Sequence, residues 1–168
     1  MGEPELAEDY GSEAQLAERA AELARALARA DAGTLVIGLM GDLGSGKTTW
    51  ARAMLRGLGF RKRVPSPTYT LLEHYHCAGL AVVHLDLYRL SGEDELENLG
   101  LRDWLGEPRT VLLVEWPERA PTLLRQCDLL IELTVTGAIT RRVAVRGRTP
   151  AGVEVLTPLV ERSLNKPS

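Results

Sequence analysis

Gly41-Asp42-Leu43-Gly44-Ser45-Gly46-Lys47-Thr48 fills every defined position of G-x-x-x-x-G-K-[ST], the phosphate-binding loop. Its flanks agree with that reading. The apolar run Thr34 to Met40 just before it predicts a buried strand. Thr49 to Leu58 just after it predicts a helix, with Trp50, Met54 and Leu58 spaced four apart and Gly59 as the C-terminal stop. Glycines let backbone N–H groups close around phosphate oxygens, and the helix N-terminus adds its partial positive charge. Gly41, Asp42, Leu43, Gly44, Ser45, Gly46, Lys47, Thr48 and Thr49 are therefore the expected nucleotide-binding segment. Lys47 can reach the β- and γ-phosphates, and the Thr48 hydroxyl can bind Mg²⁺.

The whole chain bounds what surrounds this loop. Its 168 residues fit a single domain, 1–168, and 45% hydrophobic with 26% charged residues is ordinary for a globular protein with a sizeable core. No apolar run is long enough to span a membrane, and the acidic start Met1-Gly2-Glu3-Pro4-Glu5 is unlike a signal peptide. The expectation is a cytoplasmic protein that does not engage the membrane. Cys77 and Cys127 form no C-x-x-C pair, so neither a disulfide framework nor a zinc ribbon is expected. A net charge of −3 argues against a domain that grips nucleic acid over its whole surface.

Residues 1–11 are acidic and mixed, an arm or a short edge strand. Ser12 and Gln15 fit a capping box, and Leu16, Ala20, Leu23 and Leu27 form one apolar stripe of a helix running to Ala30. Pro65 and Pro67 force a shaped loop after the second helix. Ser66 and Thr68 in that loop could offer hydroxyls to a γ-phosphate or metal, as switch loops do, or belong to an ordinary turn. Tyr69 to His76 and Leu80 to Tyr88 predict a hairpin, and 128–135 with 140–145 a second one around Gly137. His74, His76, Cys77 and His84 fit no standard zinc spacing. Arg142, Arg146 and Arg148 share a face by alternation, as charge protecting an edge strand or as a binding contact. The tail from about 158 is expected to be only partly ordered.

Two apolar strands end on carboxylates, at Asp86 and at Glu115. Beside a phosphate-binding loop, such an acid can reach Mg²⁺ or its bound water. Spacing does not rank the two; a pair suggests one acid for metal and one for the attacking water. Asn165-Lys166 lacks the aspartate of a guanine-reading motif, because Ser168 stands there, which leaves adenine as the favoured base. The expected fold is a three-layer α/β P-loop NTPase, its mainly parallel central sheet extended by antiparallel strands.

Four stretches then occur in one order: Gly41 to Thr49, Ser66-Pro67-Thr68-Tyr69-Thr70-Leu71, His84-Leu85-Asp86-Leu87-Tyr88-Arg89-Leu90 and Val114-Glu115-Trp116-Pro117-Glu118-Arg119. Together they closely resemble the TsaE/YjeE family, the small bacterial ATPases of tRNA threonylcarbamoyladenosine biosynthesis. The resemblance covers about residues 33–119 well. It implies ATP as substrate, Mg²⁺ as cofactor, and hydrolysis that is slow without partners. It implies TsaD-like and TsaB-like partner subunits, with tRNA engaged indirectly, in forming threonylcarbamoyl on the adenosine beside the anticodon. By the same resemblance, Thr48 and Glu115 are metal ligands, Lys47 is on the phosphates, and Asp86 is essential for hydrolysis. Ser66 to Thr70 becomes the switch, with Thr68 its catalytic hydroxyl, and Trp116 packs near the site. The family's threonine near the base corresponds to Leu16 here, so adenine contacts pass to Glu13 and to Arg141 or Arg142. Two other classes stay open: a small-molecule P-loop kinase and a nucleotide-gated binding module.

Overall fold

Burial on both faces forces a strand such as Thr34–Met40 into the middle of a sheet, and that is where it lies. The computed structural model describes residues 4–67 and 70–166. The strands among them are β1 (Glu5–Tyr10), β2 (Thr34–Met40), β3 (Leu72–Cys77), β4 (Leu80–Asp86), β5 (Thr110–Glu115), β6 (Leu129–Val135) and β7 (Arg141–Gly147). They form one sheet in the order β1-β7-β6-β2-β5-β4-β3. The core β6-β2-β5-β4 is parallel, and β3, β7 and β1 extend it antiparallel at the two ends.

The helices are α1 (Glu13–Arg29), α2 (Lys47–Gly57), α3 (Glu95–Asn98), α4 (Leu101–Trp104), α5 (Pro121–Arg125) and α6 (Pro150–Leu164). Leu23 and Leu27 of α1, Trp50 and Met54 of α2, and Leu156 of α6 pack on the face carrying Leu35, Ile37 and Leu113. Leu96, Leu101 and Leu123 from α3, α4 and α5 pack on the other face, against Val36, Leu112 and Val114. The result is the expected three-layer α/β P-loop fold. No helix among the described residues is long and apolar enough to cross a membrane.

Local sequence explains the element ends. The Ser12 hydroxyl accepts the Gln15 N–H at 3.2 Å, while the Gln15 side chain accepts the Gly11 N–H at 2.8 Å. The capping pair thus forms, shifted by one residue on its return bond. Beyond α2, Gly59 sits at φ 93°, with Gly59 N–H on Arg56 O and Phe60 N–H on Leu55 O, the double bond of a Schellman stop. Between β3 and β4, Ala78 and Gly79 both have positive φ, as a type I′ hairpin turn requires.

Several sequence expectations need correction. The strand expected to run to Tyr88 ends at Asp86, because the Tyr88 N–H turns back onto Asp86 Oδ1 at 3.0 Å. The strand expected from Tyr69 starts at Leu72, after Leu71 takes a left-handed φ of 63°; Thr68 and Tyr69 themselves lie outside the described residues. The arginines of β7 do not guard a sheet edge, because β1 covers that strand. Arg142 pairs with Asp9 at 3.2 Å and Arg146 with Glu5 at 3.6 Å, while Arg148 lies past the strand and donates to Leu124 O. The tail from about 158 continues as α6 to Leu164, with Leu159 buried. Pro158 is tolerated there because it and Glu154, whose carbonyl loses its helical partner, both face solvent.

Asp128 ties this last helix to the centre of the sheet. Its carboxylate accepts the Val36 N–H at 2.8 Å and the Thr149 hydroxyl at 2.6 Å, and its carbonyl accepts the Arg148 N–H. Thr149 in turn caps α6 by accepting the Gly152 N–H.

Candidate nucleotide-binding site

The site grows from the C-terminal ends of the parallel strands, where the chain leaves β2 towards β4 on one side and β6 lies on the other. The loop after β2 needs glycine at Gly41: φ is 145°, and a Cβ there would stand 2.4 Å from Leu133 O and 2.5 Å from Ser45 Oγ. This contact lays the loop against β6. Gly46 begins α2 with no side-chain cap, so the first-turn N–H groups are left to bind an anion.

Lys47 donates to Gly41 O at 2.6 Å and Asp42 O at 3.0 Å, and its ammonium lies 4.2 Å from the centre of the Trp116 ring. Burial pulls this ammonium below the usual lysine range, against the opposing pull of Glu115, Glu118, Asp86 and Asp42. Thr48 Oγ1 donates to Glu115 Oε1 at 2.7 Å, and the other oxygen of Glu115 meets His84 Nε2 at 2.6 Å. Asp86 stands opposite Glu115 in the β4–β5 register, on the same face. Burial pushes its carboxyl above the ordinary range; the Tyr88 N–H opposes that shift and the negative charge of Glu115 adds to it. Trp116 follows with φ 59°, a left-handed conformation that costs an indole of order 1 kcal/mol and marks a strained turn at the cleft. Its ring packs on Tyr88 at 5.0 Å, and the Arg119 guanidinium covers both rings.

These residues line a cleft of about 450 Å³ bounded by Leu43, Lys47, Thr48, Asp86, Glu115 and Trp116. A second hollow of about 360 Å³ shares Gly44, Gly46 and Thr49 with it and is walled by Glu13, Leu16, Ile139 and Arg141. The two adjoin at these shared loop residues and are together termed the trough, the first part acidic and the second partly apolar. Arg141 donates to Ser45 O at 3.2 Å and Gly44 O at 3.3 Å, which pins the β6–β7 turn onto the loop.

Of the residues singled out in the sequence, Gly41 to Thr49, Glu13, Asp86, Glu115, Trp116 and Arg141 thus come together. Arg142 does not, being held at the surface by Asp9. Ser66 is half-buried and is not among the residues lining the trough, and Thr68 lies outside the described residues. His84, Tyr88, Ala138 and Ile139 also belong to the neighbourhood. Alternation was the available signal for His84, two residues before Asp86 on one strand face. An apolar Ile139, 70% exposed on a turn, is the signal for the second wall.

The site also predicts a trade-off. Asp86 binds its proton more tightly in the folded chain, so its contribution to stability falls as pH rises from the unfolded carboxylate value through the raised folded one. Asp86→Asn keeps an acceptor for the Tyr88 N–H and removes the buried charge. At neutral pH this variant is expected to melt at a higher temperature than the parent, and the difference to shrink in acid. Thermal melts between pH 4 and 8 check this; equal or lower melting at pH 7 contradicts it.

Comparison with known proteins places this arrangement. The family model "Threonylcarbamoyl adenosine biosynthesis protein TsaE" matches residues 11–143. A protein of Haemophilus influenzae named tRNA threonylcarbamoyladenosine biosynthesis protein TsaE is 44% identical over 99 residues, covering 59% of this chain and 62% of that one. A protein of the same name from Aquifex aeolicus is 33% identical over 126 residues, covering 74% of this chain and 86% of its own. The matched stretch spans about three fifths of the Haemophilus influenzae and Synechocystis relatives, at 62% and 60%. A crystal structure of Bacillus subtilis YdiB superposes with a TM-score of 0.70 at 26% identity, covering 98% of this chain and 99% of that one. With the family model spanning both walls of the trough, from before Glu13 to beyond Arg141, the chain belongs to the TsaE family.

Proposed function

We propose that this chain is a Mg²⁺-dependent ATPase that serves threonylcarbamoyladenosine formation in tRNA, in the cytoplasm, together with TsaD-like and TsaB-like subunits. The observation that carries the reading is the 2.7 Å bond between Thr48 and Glu115 at the head of α2, with Lys47 and Asp86 in the same cleft. The names of the Haemophilus influenzae and Aquifex aeolicus relatives support the tRNA role.

The donor set suits Mg²⁺, since a hydroxyl and a carboxylate are hard oxygen ligands and this ion keeps its remaining positions for water and phosphate oxygens. Thr48 and Glu115 would hold the ion, which when bound neutralises charge on the phosphates. Lys47 would move from the Gly41 and Asp42 carbonyls to the phosphate oxygens, and the α2 N-terminus would bind them from below. The close approach of Gly41 to β6 and the Arg141 bonds to Ser45 O and Gly44 O would limit the reorganisation the loop amides need for this. Asp86, its carboxyl raised by burial, is a better proton acceptor than a solvated aspartate and would orient the attacking water. Leu16 and Ile139 would flank the adenine, with Glu13 at its polar edge.

Glu115→Gln keeps an acceptor for Thr48 and loses the charge. Mg²⁺-stimulated phosphate release is expected to fall at least about 100-fold. ATP affinity measured in EDTA should stay within a few-fold of the parent. Phosphate release at the parental rate would overturn the metal assignment. Efficient phosphorylation of a metabolite by the parent chain would replace the ATPase reading with the kinase one, and ATP-dependent partner association without phosphate release would favour the binding module.

A further inference from the structure

We propose that His84 is a positioning residue for Glu115: its Nε2 fixes one carboxylate oxygen so that the other stays aimed at the Thr48 hydroxyl. The inference rests on the Mg²⁺–nucleotide reading above and extends it to a residue buried behind the site. His84 is 0% exposed, inside β4, and stands opposite Leu113 in the β4–β5 register. Glu115 lies two residues further along β5 on the same face, the diagonal reach of a long side chain across paired strands. Nε2 and Glu115 Oε2 are 2.6 Å apart, a short bond of the charge-assisted kind. A carboxylate can only accept, so Nε2 carries the proton and donates it.

The other ring nitrogen is the telling one. Among the described residues, Nδ1 is buried with no hydrogen-bond partner. An orphaned polar atom is costly in a core, and a leucine or phenylalanine would fill the same strand position without that cost. Packing alone therefore does not account for histidine. What it supplies is a directed donor to Glu115, whose own side chain is 3% exposed and borders the cleft. With Oε2 taken, Oε1 is left facing Thr48 at 2.7 Å, which is the pair of oxygens a cation would use. Partners behind a metal ligand act in this way, by fixing its rotamer and orientation.

The contrast between two amide variants tests the idea in the full-length chain. In His84→Gln the amide N–H reaches the place of Nε2; in His84→Asn it reaches only the place of Nδ1. Calorimetry of ADP binding, with and without Mg²⁺, gives the metal affinity of each ADP complex, and circular dichroism melts report folding. His84→Gln is expected to keep Mg²⁺ affinity within about threefold of the parent, and His84→Asn to lose about 10–100-fold, while ADP affinity in EDTA stays the same in all three. Equal Mg²⁺ affinity in the two variants overturns the proposal, as does a loss that appears equally in EDTA. A parent chain whose ADP affinity ignores Mg²⁺ overturns the functional reading itself, and is recognised before either variant is compared.

Discussion

Replacing Lys47 by alanine is expected to weaken ATP and ADP binding by at least about 100-fold while leaving the chain folded. Two charge-assisted hydrogen bonds to phosphate, at about 1.5–3 kcal/mol each, set that scale. The fold survives because Lys47 is not a keystone of the core. Its ammonium is desolvated at a cost, and its bonds to Gly41 O and Asp42 O terminate on carbonyls of a half-buried and an exposed residue, which can take water instead. The loop itself is held from elsewhere, by the Gly41 contact with Leu133 and by Arg141 on Ser45 and Gly44. Titration of a fluorescent ATP analogue, with a melt alongside, separates the two effects. Retained affinity would remove the basis for placing phosphates over α2.

The second large effect lies at the start of α6, against Asp128 just before β6. Gly152→Ala is expected to cost about 3 kcal/mol or more, lowering the melting temperature by roughly 10 °C. A Cβ at this position would stand 2.0 Å from Asp128 O and 2.7 Å from Asp128 C, both backbone atoms that no rotamer change can move. Helix α6 would have to lift by roughly 1 Å to restore van der Waals spacing. That lift stretches the Thr149–Asp128 bond of 2.6 Å and the cap that Thr149 provides, so the change is felt through a shared hub. Chemical denaturation of parent and variant measures it. A variant within 1 kcal/mol of the parent would mean that the helix start is far more compliant than its contacts imply.

How much of this was legible in the sequence follows from the range of each interaction. The phosphate-binding loop, the Leu16–Leu27 stripe, the Gly59 stop and both hairpins are written in windows of a few residues, where caps, periodicity and turn chemistry act locally. Helix α6 shows why local reading runs out. Thr149-Pro150 is a sound helix start, but Pro158 interrupts the pattern, and only the solvent-facing position of Pro158 makes it harmless. The covering of β7 by β1 is invisible for another reason, since a register joining Glu5 to Arg146 leaves no trace in either segment alone. The site divides the same way. Asp86 and Glu115 stand out as acids ending apolar runs, whereas Arg141 gripping the loop and His84 behind Glu115 depend on neighbours that only the sheet order brings together.

Chain order adds a consequence of the β1–β7 pairing. Among the described strands β1 is made first, yet its neighbour in the sheet, β7, is made last. Leu6 and Tyr10 must wait for β7, and Glu8 must wait for Ser163 at the end of α6, which donates to it. The strands β2, β4 and β5 can assemble earlier, bringing Lys47, Asp86 and Glu115 together while Arg141 is still unmade. Pairings this distant along the chain close late and slowly. The strand ends carrying Asp86 and Glu115 are thus free to pair before the wall carrying Ile139 and Arg141 has been made, so the two sides of the trough become available at opposite ends of the chain's synthesis.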